Sequence, residues 1–237
     1  KGEPVGNSVM DLKRVLVRSG VICMEINRRE IRRYLGYGRQ EADEKVSKLI
    51  EECVEELEAA ASPKSIYRVY PFVPLPEEEL DFTVFRTKSR SLSRNLKDCE
   101  QVILFAATLG TEADSLIRKY TKLQMSKAVT MQAAATAMIE SYCDEVNTAL
   151  KESFEKKGLY LRPRFSPGYG DFPLECQRDI TSVLESAKRI GIMLTDSLLM
   201  TPSKSVTAVM GVSPKPHRCE VRGCELCSKT DCAYRRG

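Results

Sequence analysis

This sequence lacks most of the bulk features that assign a function outright. No apolar run approaches the roughly 18 to 20 residues needed to span a bilayer. The opening residues also lack the basic, apolar and small-residue order of a signal peptide, so no membrane partner is expected and the expected location is cytoplasmic. Charge of one sign is missing too: 37 Lys and Arg against 33 Asp and Glu leave +4, too even a balance to demand a nucleic acid or an anionic membrane. There is one histidine, His217, and there are no internal repeats or low-complexity segments, which sets aside repeat arrays and biased tails. The chain begins at Lys1 rather than Met, as expected of a sequence with residues missing upstream. What is present is an ordinary composition of 237 residues, 42% hydrophobic and 30% charged, enough for one large domain or one domain with an appendage.

Nine cysteines could suggest disulfides. Five of them, Cys23, Cys53, Cys99, Cys143 and Cys176, are scattered singly, and the other four crowd the last nineteen residues as Cys219-x4-Cys224-x2-Cys227-x4-Cys232. That distribution fits reduced thiols and a metal-binding tail better than a disulfide framework. Four thiolates suffice for tetrahedral zinc or for an iron–sulfur cluster. Structural zinc sites usually pair two tight knuckles and only one Cys-x2-Cys is present here, so iron–sulfur is favoured; His217 reads as a loop residue. An unmetallated, flexible tail is the plain alternative.

Three segments follow from the pattern. Residues 1–62 read as a helical N-terminal part: Val46, Leu49, Ile50, Cys53, Val54 and Leu57 recur on one helical face, Asn27 before Glu30 offers an N-cap, and Ser62-Pro63 ends the helix. Residues 63–214 form the main domain, and residues 215–237 the cysteine-rich tail. Within the main domain Ser65–Phe72 alternates like a strand. Val102–Ala107 reads as strand, Thr108–Gly110 as turn, and Thr111-x-x-Asp114 as a capping box. A long alanine-rich helix carries Met131, Ala134, Ala135, Met138 and Tyr142 on one face. Glu140 lies about half a turn round from Met131, with Asp144 one turn further on; a carboxylate pair at that spacing can hold a cation but is more often a solvated face. Leu159–Phe165 reads as a strand, Asp179 as an N-cap, Gly191 as a helix stop, and Ser205–Val212 as a strand covered on both faces. Helices of unequal length between strands, with no repeated βαβ spacing, indicate an α+β fold: a mainly antiparallel sheet flanked by helices.

Between the strand at Leu159 and the helix near Asp179 lies Arg164-Phe-Ser-Pro-Gly-Tyr169, whose two glycines and two prolines, counted through Pro173, impose a fixed irregular path. Arg164-x-x-Pro167-Gly168-Tyr169, the later Leu194-Thr195-Asp196-Ser197 and Pro202-x-x-Ser205-Val206 segments, and the helix bearing Glu140 together resemble the activation, or S-adenosylmethionine-binding, domain of cobalamin-dependent methionine synthase. The resemblance runs from about Ser65 to Pro214. Phe105–Gly110 and the helices between Asn27 and Leu57 look like the form in which this domain is a separate protein.

The resemblance implies a function. Arg164 would present a forked donor to the carboxylate of S-adenosylmethionine, Ser166 would contribute main-chain hydrogen bonds, Gly168 would let the backbone come close, Tyr169 would lie along the nucleoside, and Glu140 would face the ligand or the corrinoid. Cobalamin would be carried by the partner, a corrinoid-dependent methionine synthase, and an electron-donor protein would be a second partner. The chain would support reactivation of an oxidised cobalamin by one electron and a methyl group, as an accessory component in which no general acid or base is needed. Two features depart from the family: Met210 stands where the family has an aromatic residue in the last strand, and the acidic, aromatic N-terminal stretch of full-length synthases is not evident. The other readings are a metal-stabilised protein- or nucleic-acid-binding module without methyl-donor chemistry and, more weakly, a general small-molecule methyltransferase, for which no glycine-rich Rossmann fingerprint exists.

Overall fold

Two strands carry the architecture because their sequences are apolar on both sides of the pleat. The structure, a computed structural model, describes residues 26–38, 40 and 42–216. Chain order begins with α1 (Arg28–Tyr34), α2 (Glu44–Ala60), β1 (Lys64–Pro71), β2 (Val73–Pro74), β3 (Glu79–Asp81), β4 (Arg86–Lys88) and α3 (Arg90–Asn95). It continues with β5 (Gln101–Thr108), α4 (Thr111–Leu123), α5 (Met125–Glu155), β6 (Tyr160–Leu161), α6 (Cys176–Val183), α7 (Ser186–Ile190), β7 (Met193–Leu194), β8 (Met200–Thr201) and β9 (Ser205–Ser213). The main sheet has the order β1-β5-β9-β6 and is antiparallel throughout. Small ladders β2-β3-β4 and β7-β8 complete an α+β fold.

In register, Ile103 faces Met210 and Phe105 faces Ala208. These residues point to the helical layer, where Ile50, Cys53, Val54 and Leu57 of α2 and Met131, Ala134, Ala135 and Met138 of α5 join one core. The alternate residues Val102, Leu104, Ala106 and Val209 point the other way, into a second core with Phe72, Phe82, Phe172 and Ile180. Both faces of the sheet are therefore dry, which antiparallel sheets often are not. The expected α2 stripe and the doubly covered last strand take these positions. Ile26, Ile31 and the α2 stripe belong to the same core as α5. Alanines on α5 let the helices approach closely, so a larger side chain there would overpack the contact. Lys127 of α5 reaches Glu56 of α2 at 2.7 Å and lies 4.7 Å from the centre of the Tyr120 ring, tying α2, α4 and α5 together.

Several local expectations need correction. Gly110, not Thr111, takes the cap position of α4, and the Asp114 carboxylate instead accepts from the Ser203 N–H (2.7 Å) and Oγ (2.6 Å). Only Tyr160 and Leu161 of the expected 159–165 strand pair as a strand, because Pro163 has no N–H to donate; Phe165 rejoins the ladder opposite Val209. Helix α6 starts at Cys176, so Asp179 lies in its first turn rather than at its cap. Gly191, at φ +78°, ends the short α7. The cap at Asn27 is present, its side chain accepting from the N–H groups of Arg29 and Glu30.

Candidate functional site

The candidate loop leaves the sheet edge in three steps. The Arg162 N–H donates to Gly211 O at 2.8 Å, and Phe165 and Val209 exchange both backbone hydrogen bonds at 2.9 Å. Strand alternation then sends Arg164 towards α5 and Phe165 to the opposite core. Beyond Phe165 the chain folds on itself: the Tyr169 N–H donates to Ser166 O at 3.1 Å, the Phe172 N–H to Tyr169 O at 3.1 Å, and the Gly168 N–H to Phe172 O at 2.8 Å. Gly168 sits at φ +84°, a conformation that favours glycine, and a Cβ there would lie 3.1 Å from the end of the Leu174 side chain. Tyr169, 48% exposed, rests its ring edge-to-face on Phe165 at 5.3 Å.

Arg164 is held from α5. Its Nη2 donates to Asp144 at 2.7 Å and to Glu140 at 3.3 Å. Its side chain is 16% exposed, whereas those of Glu140 and Asp144 are 38% and 67% exposed. The Nη1 nitrogen is buried and has no hydrogen-bond partner among the described residues. The acidic pair of α5, readable from sequence as a solvated face, thus receives the guanidinium. Beneath it lies the Cys143 thiol, whose pKa burial pushes up to about 12 although the nearby guanidinium pulls it down. That thiol is protonated at neutral pH and is no nucleophile.

The second motif joins the site through the last strand and α5. Ser205 opens β9, where its Oγ donates to Pro202 O (2.7 Å) and pairs with the Thr108 hydroxyl (2.9 Å); Val209, the partner of Phe165, lies four residues on. Lys204, 8% exposed, donates from Nζ to Thr136 Oγ1 at 2.9 Å, and burial lowers its pKa. Thr136 is one helical turn before Glu140, about 6 Å along the axis, on the same face of α5. The Leu194–Ser197 segment forms the β7–β8 turn, tied by the Leu199 N–H to Thr195 Oγ1 at 3.0 Å. Met210 is fully buried among the helical-side core residues and offers no exposed surface.

Sequence reasoning missed Asp171. Its carboxylate accepts from Ser89 Oγ (2.7 Å) and from the N–H groups of Arg90 (2.8 Å) and Ser91 (3.0 Å), which holds its pKa far below the usual carboxylate range. Its partners lie 80 to 82 residues upstream in sequence, so no local pattern announces them.

A cavity of about 660 Å³ opens between Tyr34 of α1, Ile117 of α4 and Val129 of α5. Arg164 and Tyr169 do not line it. Among the described residues no three His, Cys, Asp or Glu side chains gather as metal ligands, and no helix is long and apolar enough to cross a membrane. Cys219, Cys224, Cys227, Cys232 and His217 lie outside the described residues.

Comparison with known proteins bears on the fold and on the family. No curated protein matches the chain. Among solved structures, a crystal structure of the MetH reactivation domain bound to AdoHcy superposes with a TM-score of 0.61 at 16% identity, covering 84% of this chain and 78% of that one. At that identity the likeness establishes the fold. A family model described as vitamin B12 dependent methionine synthase, activation domain, matches residues 91–237, well over half of the sequence and the whole candidate loop. This chain therefore belongs to the activation-domain family of vitamin B12-dependent methionine synthase.

Proposed function

We propose that the chain binds S-adenosylmethionine on the Arg164–Tyr169 loop and supports reductive methylation of the cobalamin carried by a separate corrinoid-dependent methionine synthase. The observation that carries this reading is the Arg164 guanidinium, buried enough to be directional yet with Nη1 unpartnered and its two acids on the rim. Exposed ion pairs are worth about 0–1 kcal/mol, so a ligand carboxylate can displace Asp144, whose side chain is 67% exposed, from Nη2. Glu140 and Asp144 would then accept from the ligand's ammonium, placing opposite charges against both ends of a zwitterion. The Ser166 main chain and Tyr169 would meet the nucleoside, with Gly168 allowing close approach. AdoHcy in the solved relative supports this choice of ligand.

When bound, the donor supplies a sulfonium-activated methyl group, and the partner's corrinoid supplies the nucleophile. This chain orients the donor, making methyl transfer an oriented, near-unimolecular event without a general base. The protein is then an accessory component, working in the cytoplasm beside a transient partner.

Calorimetry with S-adenosylmethionine and S-adenosylhomocysteine tests the reading. Arg164→Ala is expected to weaken binding by about 1.5–3 kcal/mol, the contribution of a charged hydrogen bond. Absence of heat at millimolar ligand would overturn it. In the same reading residues 1–62, 63–214 and 215–237 act as helical buttress, donor domain and metal-binding tail. Cys219, Cys224, Cys227 and Cys232 hold an iron–sulfur cluster or zinc. Anaerobic purification followed by iron, sulfide and zinc analysis that finds none of them sinks the tail assignment.

A further inference from the structure

Asp171 stands two residues past Tyr169, outside the Arg-Pro-Gly-Tyr motif. Its Oδ1 receives the Ser89 hydroxyl and the Ser91 N–H, and its Oδ2 receives the Arg90 N–H. Ser89 Oγ accepts in turn from the N–H of Leu92, a fully buried residue of the aromatic-side core. The loop is thereby linked through α3 to the packed interior. Gly170 lies flat on the same turn: at φ +58°, its added Cβ would stand 2.9 Å from Ser91 Oγ and 3.1 Å from Ser91 Cβ. Phe172, 1% exposed, anchors the loop on the apolar side.

Tyr169 is flanked by two glycines at positive φ, Gly168 and Gly170, so its backbone has unusual freedom on both sides. The contacts that remove this freedom on the C-terminal side are those of Asp171, Gly170 and Phe172. We propose that Asp171 is a positioning residue, which locks the Ser166–Tyr169 corner in its ligand-receiving shape by fastening its downstream end to the first turn of α3. The proposal rests on the reading that this corner binds S-adenosylmethionine. The Asp171 carboxylate is engaged by Ser89, Arg90 and Ser91; in this role it acts by keeping the competent corner populated, and apparent affinity scales with that population.

The test uses the full chain with Asp171→Ala and Asp171→Asn, S-adenosylhomocysteine calorimetry, and hydrogen exchange of the Gly168 and Phe172 amides. If the competent corner falls to roughly a tenth of the molecules, Asp171→Ala weakens binding about tenfold, and both amides lose protection while those of β5 and β9 keep theirs. Asp171→Asn, whose single Oδ1 can still accept from Ser89 and Ser91, falls between alanine and wild type. Wild-type affinity in Asp171→Ala, or weaker binding with unchanged protection of the two amides, overturns the proposal. If the wild-type protein binds no S-adenosylhomocysteine, the ligand reading fails, and the latch stands or falls on the exchange result alone. Should Asp171→Ala not fold, Asp171→Asn carries both measurements: its affinity and protection must both drop, and wild-type values in both overturn the latch.

Discussion

At the Arg164 end of the candidate loop a guanidinium meets two carboxylates on the rim of α5, whereas at the Asp171 end a carboxylate meets backbone N–H groups and a buried hydroxyl of α3. The first set of partners is long, exposed and able to rotate away. The second belongs to a helix turn packed over the aromatic core and cannot leave without disturbing it. In the proposed function a ligand carboxylate takes the place of an acid on Arg164 while the other end of the loop stays in place. One loop combines a replaceable contact with a fixed one, and the difference comes from what each charge is paired with rather than from the charge itself.

The sharpest way to break this contrast is to remove the apolar anchor beside the fixed end. Phe172→Ala opens a cavity in the aromatic-side core and is expected to cost about 3–5 kcal/mol of folding stability, read as a fall in the denaturant midpoint; a change below 1 kcal/mol would show that the loop is not integral to that core. Gly170→Ala forces a Cβ into a left-handed backbone and against Ser91, with an expected cost of about 1–2 kcal/mol, measurable by thermal unfolding. Asp144→Asn at the replaceable end should change stability by less than about 1 kcal/mol, because the pair is two-thirds exposed on the acid side.

Acid titration sharpens the comparison further. The Asp171 carboxylate is held far below the usual range by its three donors, so the folded state binds its proton less readily than the unfolded state. Its contribution is fully present above the unfolded carboxylate pKa of about 3.9 and is lost as pH falls below that value towards the folded one. The stability difference between wild type and Asp171→Asn is thus expected to be constant above about pH 5 and to shrink as pH drops through the range below 4. A difference that vanishes already near neutral pH would refute the hydrogen-bonded clamp.

The parts of this fold that were legible in sequence are those where one segment carries its own pattern. The α2 stripe from Val46 to Leu57 and the strand from Ser205 each repeat with the period of their element, and Asn27 caps α1 through atoms two and three residues away. The motif residues Arg164, Gly168 and Tyr169 were legible as well, since a positive-φ glycine beside proline marks an irregular turn. Helix α3 and the two-residue strands β2, β7 and β8 were not, because elements so short hold no full period and exist only through tertiary pairing. Glu140 and Asp144 illustrate the boundary. Their four-residue spacing was visible, but that they receive Arg164 depends on where the strand edge delivers it.

By itself, then, the sequence determined the long elements and the doubly covered last strand, because those depend on covalent neighbours and on periods of two and 3.6 residues, while its resemblance to a known family marked the candidate loop. Only the tertiary structure decided which charges meet: Arg164 with α5, Asp171 with α3, Lys204 with Thr136 and Asp114 with Ser203. Such pairings join residues 20 to 89 positions apart. They arise when burial of apolar faces brings those backbones together, and a polar group near or inside the core must take its partner from whatever that packing sets beside it.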